Sequence, residues 1–197
     1  MTLPIIILAA GTSSRMRGAD KMLEDVDGAP LIRRQAEIAL SVSAQVYVTV
    51  PPKPHPRHAA LAGLNVIFVE VPDAADGMSV SMRAGIAALP AGTKSAMILL
   101  GDLPEITTDD LRQVIDAKEK NSENLIWRGA TQDGKAGHPI IFDQALFAEI
   151  ATLSGDTGGQ SIIQNHSDHV HLVPLPDNHA RMDLDTPEEW SLWRKTR

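Results

Sequence analysis

The chain has 197 residues, of which 43% are hydrophobic, so it can bury the core of one large domain. It has 18 basic and 25 acidic side chains, a formal net charge of −7, which argues against a broad nucleic-acid-binding surface. It has no cysteine, which excludes disulfides, a thiolate nucleophile and cysteine-held metals. The N-terminus lacks the pattern of a signal peptide and no apolar run is long enough to span a membrane, so we expect a cytoplasmic protein.

Strands and helices alternate in the first half of the chain. Continuous apolar or β-branched runs predict strands, and amphipathic runs predict helices. The predicted strands are residues 3–8, 46–50, 66–69 and 96–100, and the predicted helices are residues 30–42 and 79–89. This alternation predicts a three-layer, Rossmann-like α/β fold with a mostly parallel sheet and helices on both faces.

The second half of the chain has a looser pattern. A helix capped by Thr107 or Thr108 runs to about residue 118, and Asp133-Gly134 predicts the turn of a hairpin between strands 125–130 and 138–142. Short helices at 143–151 and 160–164 and strands at 170–175 and 181–184 follow, and a capping box at Thr186 begins a last helix. There is no internal repeat or linker, so we expect residues 1–197 to form a single domain.

The loop after the first strand carries a functional signal. It combines Gly11, Ser13 and Ser14 with the cations Arg15 and Lys21. Small residues let backbone N–H groups approach a phosphate chain, and fixed cations neutralise its charge. The loop matches neither the dinucleotide-binding glycine pattern nor the Walker pattern. An ordinary turn with solvated charges is the alternative interpretation.

Carboxylates follow two later predicted strands. Asp102 lies at the end of strand 96–100, where ligands of parallel sheets bind, and such a carboxylate can hold Mg²⁺ against a polyphosphate. A turn-forming or N-cap aspartate is the alternative. Asp183 and Asp185 end the predicted strand 181–184. Because Asp185 fits the turn that begins the last helix, Asp183 is the better second metal ligand.

Four motifs occur in a fixed order: Leu8-Ala9-Ala10-Gly11-x-Ser13-x-Arg15-Met16-x-Gly18-x-x-Lys21, Gly101-Asp102-x-Pro104, Gly137-His138-Pro139 and Asp183-Leu184-Asp185-Thr186-Pro187-Glu188. Together they resemble the MobA-like nucleotidyltransferases over residues 5–190. The Ala-Ala-Gly form of the loop, the Gly-His-Pro motif and Gly155-Asp156-x-Gly158 resemble the branch of molybdenum cofactor cytidylyltransferases. Guanylyl-transferring relatives tend to carry Ala-Gly-Gly.

The resemblance implies a fold of the nucleotide-diphospho-sugar transferase type and a Mg²⁺-dependent reaction. CMP would pass from CTP to the phosphate of the molybdenum cofactor, a molybdopterin, with release of pyrophosphate. A transient contact with a molybdoenzyme would follow, and no nucleic acid or membrane partner is implied. Because a phosphate oxygen is already anionic, catalysis needs positioning and charge neutralisation rather than a protein nucleophile.

The resemblance also implies roles for individual residues. The nucleotide-binding residues are Leu8, Ala9, Ala10, Gly11, Ser13, Lys21, Asp73 and Ser79. The catalytic residues are Arg15, Lys21 and Asp102, the metal ligands are Asp102 and Asp183, and His138 contacts the acceptor. There are alternatives for three of these residues. A turn role explains Asp73 adequately and an N-cap role explains Ser79 fully, and His138 can also be an ordinary strand histidine.

Three other functions stay open. The chain can transfer a guanylyl or another nucleotidyl group to a different phosphate acceptor, since fold does not fix function. It can also be a non-catalytic carrier of the molybdenum cofactor, although a carrier needs no metal-binding carboxylate. A nicotinamide-dependent oxidoreductase is disfavoured because the glycine pattern of dinucleotide-binding folds is missing.

Overall fold

The computed structural model describes residues 3–155 and 158–197. Within these residues the chain forms the strands β1 (Ile5–Leu8), β2 (Asp25–Val26), β3 (Ala29–Pro30), β4 (Val46–Val50), β5 (Ile67–Glu70), β6 (Ser95–Leu100), β7 (Ile126–Ala130), β8 (Ala136–Asp143) and β9 (Val170–Pro174). The helices are α1 (Leu31–Leu40), α2 (Pro56–Ala60), α3 (Met78–Ala87), α4 (Thr108–Lys120), α5 (Phe147–Ile150), α6 (Gln160–Asn165) and α7 (Pro187–Thr196). Asp156 of the Gly-Asp-x-Gly motif lies outside the described residues.

Seven strands form one sheet in the order β5–β4–β1–β6–β8–β7–β9, and β2 and β3 form a separate small ladder. β4, β5 and β6 are parallel to β1, whereas β8 pairs antiparallel with both β6 and β7. β9 then pairs parallel with β7. The prediction of a mostly parallel sheet is therefore confirmed, with β8 as the strand that runs the other way.

Helices cover both faces of the sheet. α1 and α4 pack on one face, and α3, α5 and α6 pack on the other. The side chains of β1 alternate between these faces, because Ile5 and Ile7 join one core cluster while Ile6 and Leu8 join the other. A buried strand between two helical layers needs apolar side chains at every position, which explains the continuous apolar run at the start of the chain.

The prediction of a strand at residues 181–184 is wrong. The backbone N–H groups of Arg181 and Met182 both donate to the carbonyl of Asn178, and Asp183 donates to Arg181. These local turns use the donors that a strand would offer to a neighbour. The apolar side chain of Leu184 is buried for another reason, because it packs in a separate core cluster with Trp190 and Trp193 of α7.

Three short elements were not predicted. β2 and β3 form a two-stranded antiparallel ladder, joined by a turn in which Asp27 and Gly28 have positive φ angles of 56° and 87°. α2 begins in the histidine- and proline-rich segment 51–58, directly after His55, whose Nδ1 accepts from the N–H of Arg57. In the described part of the chain, no helix is both long and apolar enough to cross a membrane.

The contact between α3 and β1 depends on a glycine. A Cβ atom at Gly85 would lie 2.5 Å from Cγ2 of Ile6. We expect Gly85→Ala to lower the free energy of unfolding by about 1–2 kcal/mol, since overpacking outweighs the better helix propensity of alanine. Urea denaturation measures this change. Gly11→Ala is the control, because a Cβ there meets no atom within 4 Å, and an equal loss in both variants would contradict the packing argument.

Candidate functional site

A cleft of about 480 Å³ opens beyond the carboxyl ends of β1 and β6. One wall is the loop that follows β1, and the opposite wall is the turn that leads into α3. Leu8, Ala10, Gly11, Ser13, Arg15, Lys21 and Asp102 line it, all of them predicted site residues, together with Asp185. The structure thus brings the loop that follows β1 and the carboxylate that follows β6 to one site.

Lys21 lies between two carboxylates at the base of this cleft. Its Nζ is 2.5 Å from Oδ2 of Asp102 and 2.7 Å from Oδ1 of Asp185. The three side chains are 13–15% exposed. Burial alone would lower the pKa of Lys21, but the charges and hydrogen bonds of Asp102 and Asp185 raise it above its ordinary value. Lys21 is therefore a fixed positive charge at neutral pH.

Asp102 is held in place through its neighbours. The N–H of Gly101 donates to the carbonyl of Leu8 at 3.0 Å, which joins the ends of β1 and β6. On the other side, the buried Gln35 of α1 donates through Nε2 to the carbonyl of Leu103 at 2.6 Å. A Cβ at position 101 would lie 3.0 Å from Sδ of Met22 and 3.1 Å from the Leu8 carbonyl oxygen, so this close approach favours glycine.

Asp185 and Asp183 have different surroundings. Both oxygens of Asp185 are paired, Oδ1 with Lys21 and Oδ2 with Arg15 at 2.7 Å, and its N–H donates to Glu189. The sequence argument placed Asp185 in the turn alone, whereas the structure also directs its carboxylate into the cleft. Asp183 does not line the cleft. Burial and the charges of Asp102 and Asp185 nevertheless raise its pKa, so it lies in the same electronegative region.

The acidic side chains leave one oxygen without a partner. Oδ1 of Asp102 is buried and accepts no hydrogen bond from the residues that the structure describes. A divalent cation would satisfy this oxygen and would offset the negative charges of Asp102 and Asp185, which add to the effect of burial in raising the pKa of Asp183. Within residues 3–155 and 158–197, no three His, Asp or Glu side chains could enclose a metal by themselves. The residues therefore fit a metal bound by two carboxylates and completed by substrate oxygens, as Mg²⁺ prefers.

A buried arginine fixes the shape of the loop that follows β1. Arg57 of α2 is 2% exposed and donates through Nε and Nη2 to the two oxygens of Asp20, at 2.8 and 2.7 Å. Its Nη1 donates to the Ala9 carbonyl at 2.6 Å, and Nη2 also donates to Oγ of Ser13 at 3.2 Å. Asp20 in turn accepts from the N–H of Met22 at the start of the turn that carries Lys21. One guanidinium therefore connects both ends of the loop.

The other predicted nucleotide-binding residues do not line the cleft. Ala9 is buried, its N–H donates to Oγ1 of Thr49 and its carbonyl accepts from Arg57, so it supports the loop from behind. Asp73 is exposed and begins a short 3₁₀ turn, and Ser79 is buried in α3. Their neighbours Ala74, Ala75, Gly77, Met78 and Ser81 form the cleft wall instead.

His138 lies beside the cleft rather than in it. β8 runs antiparallel to β6, and Ile140 is opposite Ile98, so the start of β8 is next to the end of β6. Nδ1 of His138 is shielded from solvent and has no partner in the described residues. Burial, with a smaller contribution from the charge of Arg128, lowers the pKa of His138 to about 4, so the ring is neutral at physiological pH.

Sequence reasoning missed Arg57 and Asp20. Asp20 is part of the quoted loop motif but received no role, and Arg57 stands in a segment without a recognised pattern. The two residues are 37 positions apart, so only the fold pairs them. The one local signal was an arginine in the proline- and histidine-rich segment that begins directly after the buried strand β4.

Comparison with known proteins gives a consistent result. A family model described as the MobA-like NTP transferase domain matches residues 5–170. A protein of Trichormus variabilis named probable molybdenum cofactor guanylyltransferase is 32% identical over 192 residues, which cover 95% of this chain and 88% of that relative.

Solved structures share the fold. The crystal structure of Rv0371c from Mycobacterium tuberculosis H37Rv matches with a TM-score of 0.85 and 23% identity over 99% of this chain and 98% of that chain. Its complex with manganese matches with a TM-score of 0.79. CMP:2-keto-3-deoxy-manno-octonic acid synthetase complexed with CTP matches with a TM-score of 0.77 and 15% identity over 100% of this chain and 98% of that chain. These likenesses confirm the predicted fold of the nucleotide-diphospho-sugar transferase type.

The ion pair between Arg57 and Asp20 should stabilise the whole fold. We expect Arg57→Met to lower the free energy of unfolding by about 3 kcal/mol, because it leaves a half-buried carboxylate without its partner. In a double-mutant cycle with Asp20→Asn, the double mutant should lose about 1–3 kcal/mol less stability than the two single mutants lose together. Urea denaturation at pH 7 measures each term. The exposed pair Arg112–Asp109 is the control, with an expected coupling of about 0.5 kcal/mol or less.

The same cycle should depend on pH in one direction. Burial alone would raise the pKa of Asp20, but the hydrogen bonds and charge of Arg57 hold it below its ordinary value of 3.8. A carboxyl group with a lowered pKa stabilises the fold above its unfolded pKa and loses that effect as the pH falls through its folded pKa. The coupling should therefore be full at pH 7 and shrink below pH 3.8. A coupling at pH 7 no larger than that of the exposed pair would refute the role of Arg57.

Proposed function

The chain belongs to the MobA-like NTP transferase family, and from this premise we propose that it transfers CMP from CTP to the phosphate of the molybdenum cofactor. It is a nucleotidyltransferase. The observation that carries the proposal is Lys21, fixed between Asp102 and Asp185 at the base of a cleft whose mouth carries Arg15. This arrangement supports a charge-neutralising site for a triphosphate.

The reaction follows from the charges in the cleft. An anionic oxygen of the acceptor phosphate attacks the α-phosphorus, a new phosphorus–oxygen bond forms, and the bond to the β-phosphate breaks to release pyrophosphate. Lys21 and the exposed Arg15 neutralise the phosphate oxygens, and the N–H groups of the loop at Gly11 approach them closely. The attacking oxygen carries its own negative charge, so the protein supplies orientation and electrostatics.

We assign the metal ligands to Asp102 and Asp183. Both oxygens of Asp185 are already paired with cations, whereas Oδ1 of Asp102 has no partner in the described residues. Burial raises the pKa of Asp183, and the negative charges of Asp102 and Asp185 raise it further. A divalent cation, Mg²⁺ in this proposal, would supply further neutralisation of the triphosphate. The manganese complex of Rv0371c is consistent with a divalent metal.

The choice of CTP rests on Ala10. It lines the cleft and is 3% exposed, and it stands where guanylyl-transferring relatives tend to carry glycine. A methyl group there takes space that a glycine leaves open, which favours the smaller pyrimidine base. GTP is the second candidate, because the Trichormus relative is named a molybdenum cofactor guanylyltransferase.

The metal assignment predicts a loss of both binding and turnover. Asp102→Asn removes a negative charge at nearly constant volume, so we expect transfer to fall by about 100-fold or more. Binding of Mn²⁺ to the nucleotide-free protein, followed by electron paramagnetic resonance, should weaken in parallel. The exposed Asp168→Asn removes the same charge elsewhere and should change neither quantity. Normal turnover of Asp102→Asn with Mg²⁺ would refute the assignment.

The base assignment predicts a specificity order. Pyrophosphate release should be fastest with CTP among CTP, GTP, UTP and ATP when the molybdenum cofactor is the acceptor, and Ala10→Gly should raise the rate with GTP relative to CTP by about tenfold. Ala19→Gly, in the exposed part of the same loop, should leave the ratio unchanged. A faster reaction of the wild type with GTP would make the chain a guanylyltransferase. No release with any triphosphate would favour a carrier.

A further inference from the structure

A smaller cavity of about 70 Å³ adjoins the main cleft on the side of the β7–β8 hairpin. Leu8 and Met78 line both spaces, so the two are neighbours. Most of the wall of the small cavity is apolar, but Arg128, His138 and Gln160 also face it. A guanidinium beside an apolar cavity is costly unless an anion supplies the opposite charge.

Arg128 belongs to a pair of cations without a carboxylate partner. Eight other arginines of the chain form ion pairs, whereas Arg128 and Arg181, like Arg83 on α3, have none within residues 3–155 and 158–197. Nε of Arg128 donates to the Gly137 carbonyl at 2.8 Å, and Nη1 of Arg181 donates to the Ala136 carbonyl at 2.7 Å. Both guanidinium groups are therefore anchored on consecutive carbonyls at the start of β8.

The two cations act on each other. Burial lowers the pKa of Arg128, and the positive charge of Arg181 lowers it further. A bound anion would relieve both effects, since it replaces lost hydration and separates two like charges. The chain as a whole has a net charge of −7, so this cationic site is a local feature.

The position of this pair relates it to the reacting end of the cleft. His138 lies near both groups, since the charge of Arg128 lowers its pKa and the charge of Asp102 raises it. Because β8 is antiparallel to β6, the start of β8 and the end of β6 share one edge of the sheet. In the sheet, β8 lies between β6 and β7, so a group held by Arg128 of β7 is on the opposite side of β8 from the end of β6 and Asp102, away from the loop that follows β1.

We propose that Arg128 and Arg181 together bind a phosphate group of the second substrate, the acceptor. The planar guanidinium fork of Arg128 suits two phosphate oxygens, and the apolar wall of the cavity contacts the uncharged part of the same molecule. Arg181 is exposed and is not among the residues that line the cavity, so it supplies the second charge from outside, through its effect on Arg128. The assignment to an acceptor rests on the proposed function, because an acceptor exists only if the chain transfers a nucleotidyl group.

The first test uses inorganic phosphate as the probe and needs no enzymatic activity. The arginine Nε–H resonance of Arg128 is assigned in NMR spectra by its loss in Arg128→Gln, and phosphate is titrated into the nucleotide-free protein. We expect a saturable shift in the wild type and affinity about tenfold weaker in Arg181→Gln. Arg112→Gln, on the exposed surface of α4, removes the same charge and should leave the affinity unchanged. A signal that does not move, or equal affinity in Arg181→Gln, overturns the phosphate site.

The second test separates an acceptor phosphate from free phosphate or pyrophosphate. In steady-state transfer, Arg128→Gln should raise KM for the acceptor about tenfold and leave KM for the triphosphate within about twofold, and Arg128→Lys should recover part of the loss. An unchanged acceptor KM despite phosphate binding overturns the assignment to the acceptor. If the wild type transfers no nucleotide at all, the proposed function fails while the phosphate titration still decides the site.

Discussion

The guanidinium of Arg57 is the constraint on which the geometry of the candidate site depends. It is buried, yet each of its nitrogens donates to an acceptor, so its charge is compensated in place. Its acceptors belong to Ala9, directly after β1, to Ser13 within the loop, and to Asp20, just before Lys21. A flexible, small-residue loop thus acquires a defined shape from a rigid element outside it. The conformational entropy of the loop is therefore lost when the protein folds and does not have to be lost when a substrate binds.

The sequence predicted the elements whose signals are local. β4 matches residues 46–50 because five buried β-branched or aromatic positions follow one another, and α7 begins at Thr186 because its capping box is contained in four residues. The hairpin turn at Gly134 has the positive φ angle that Asp-Gly dipeptides supply. In each case the chemistry that fixes the element lies within one short stretch of chain.

The features that the sequence could not provide depend on distant partners. Residues 181–184 have the alternation of a strand, but a strand needs a neighbour, and their donors are used by the turn at Asn178. The same limit applies to Asp183 and Asp185. Which of the two carboxylates lies in the cleft depends on the path of the backbone, and an alternation of polar and apolar residues does not predict that path. Lys21, Asp102 and Asp185 were all visible as charged residues after apolar runs, whereas their mutual pairing spans up to 164 positions.

The antiparallel pairing of β8 with β6 has a consequence for how such a protein can change. Parallel strands require long crossover connections, so the half of the sheet around β1 is joined through several helices and tolerates little rearrangement. The β7–β8 hairpin is instead closed by a short turn, and within the sheet it pairs with that half only where β8 meets β6. The hairpin can therefore be changed with little effect on the loop that follows β1, and under the function proposed above such a change would alter which molecule accepts the nucleotide.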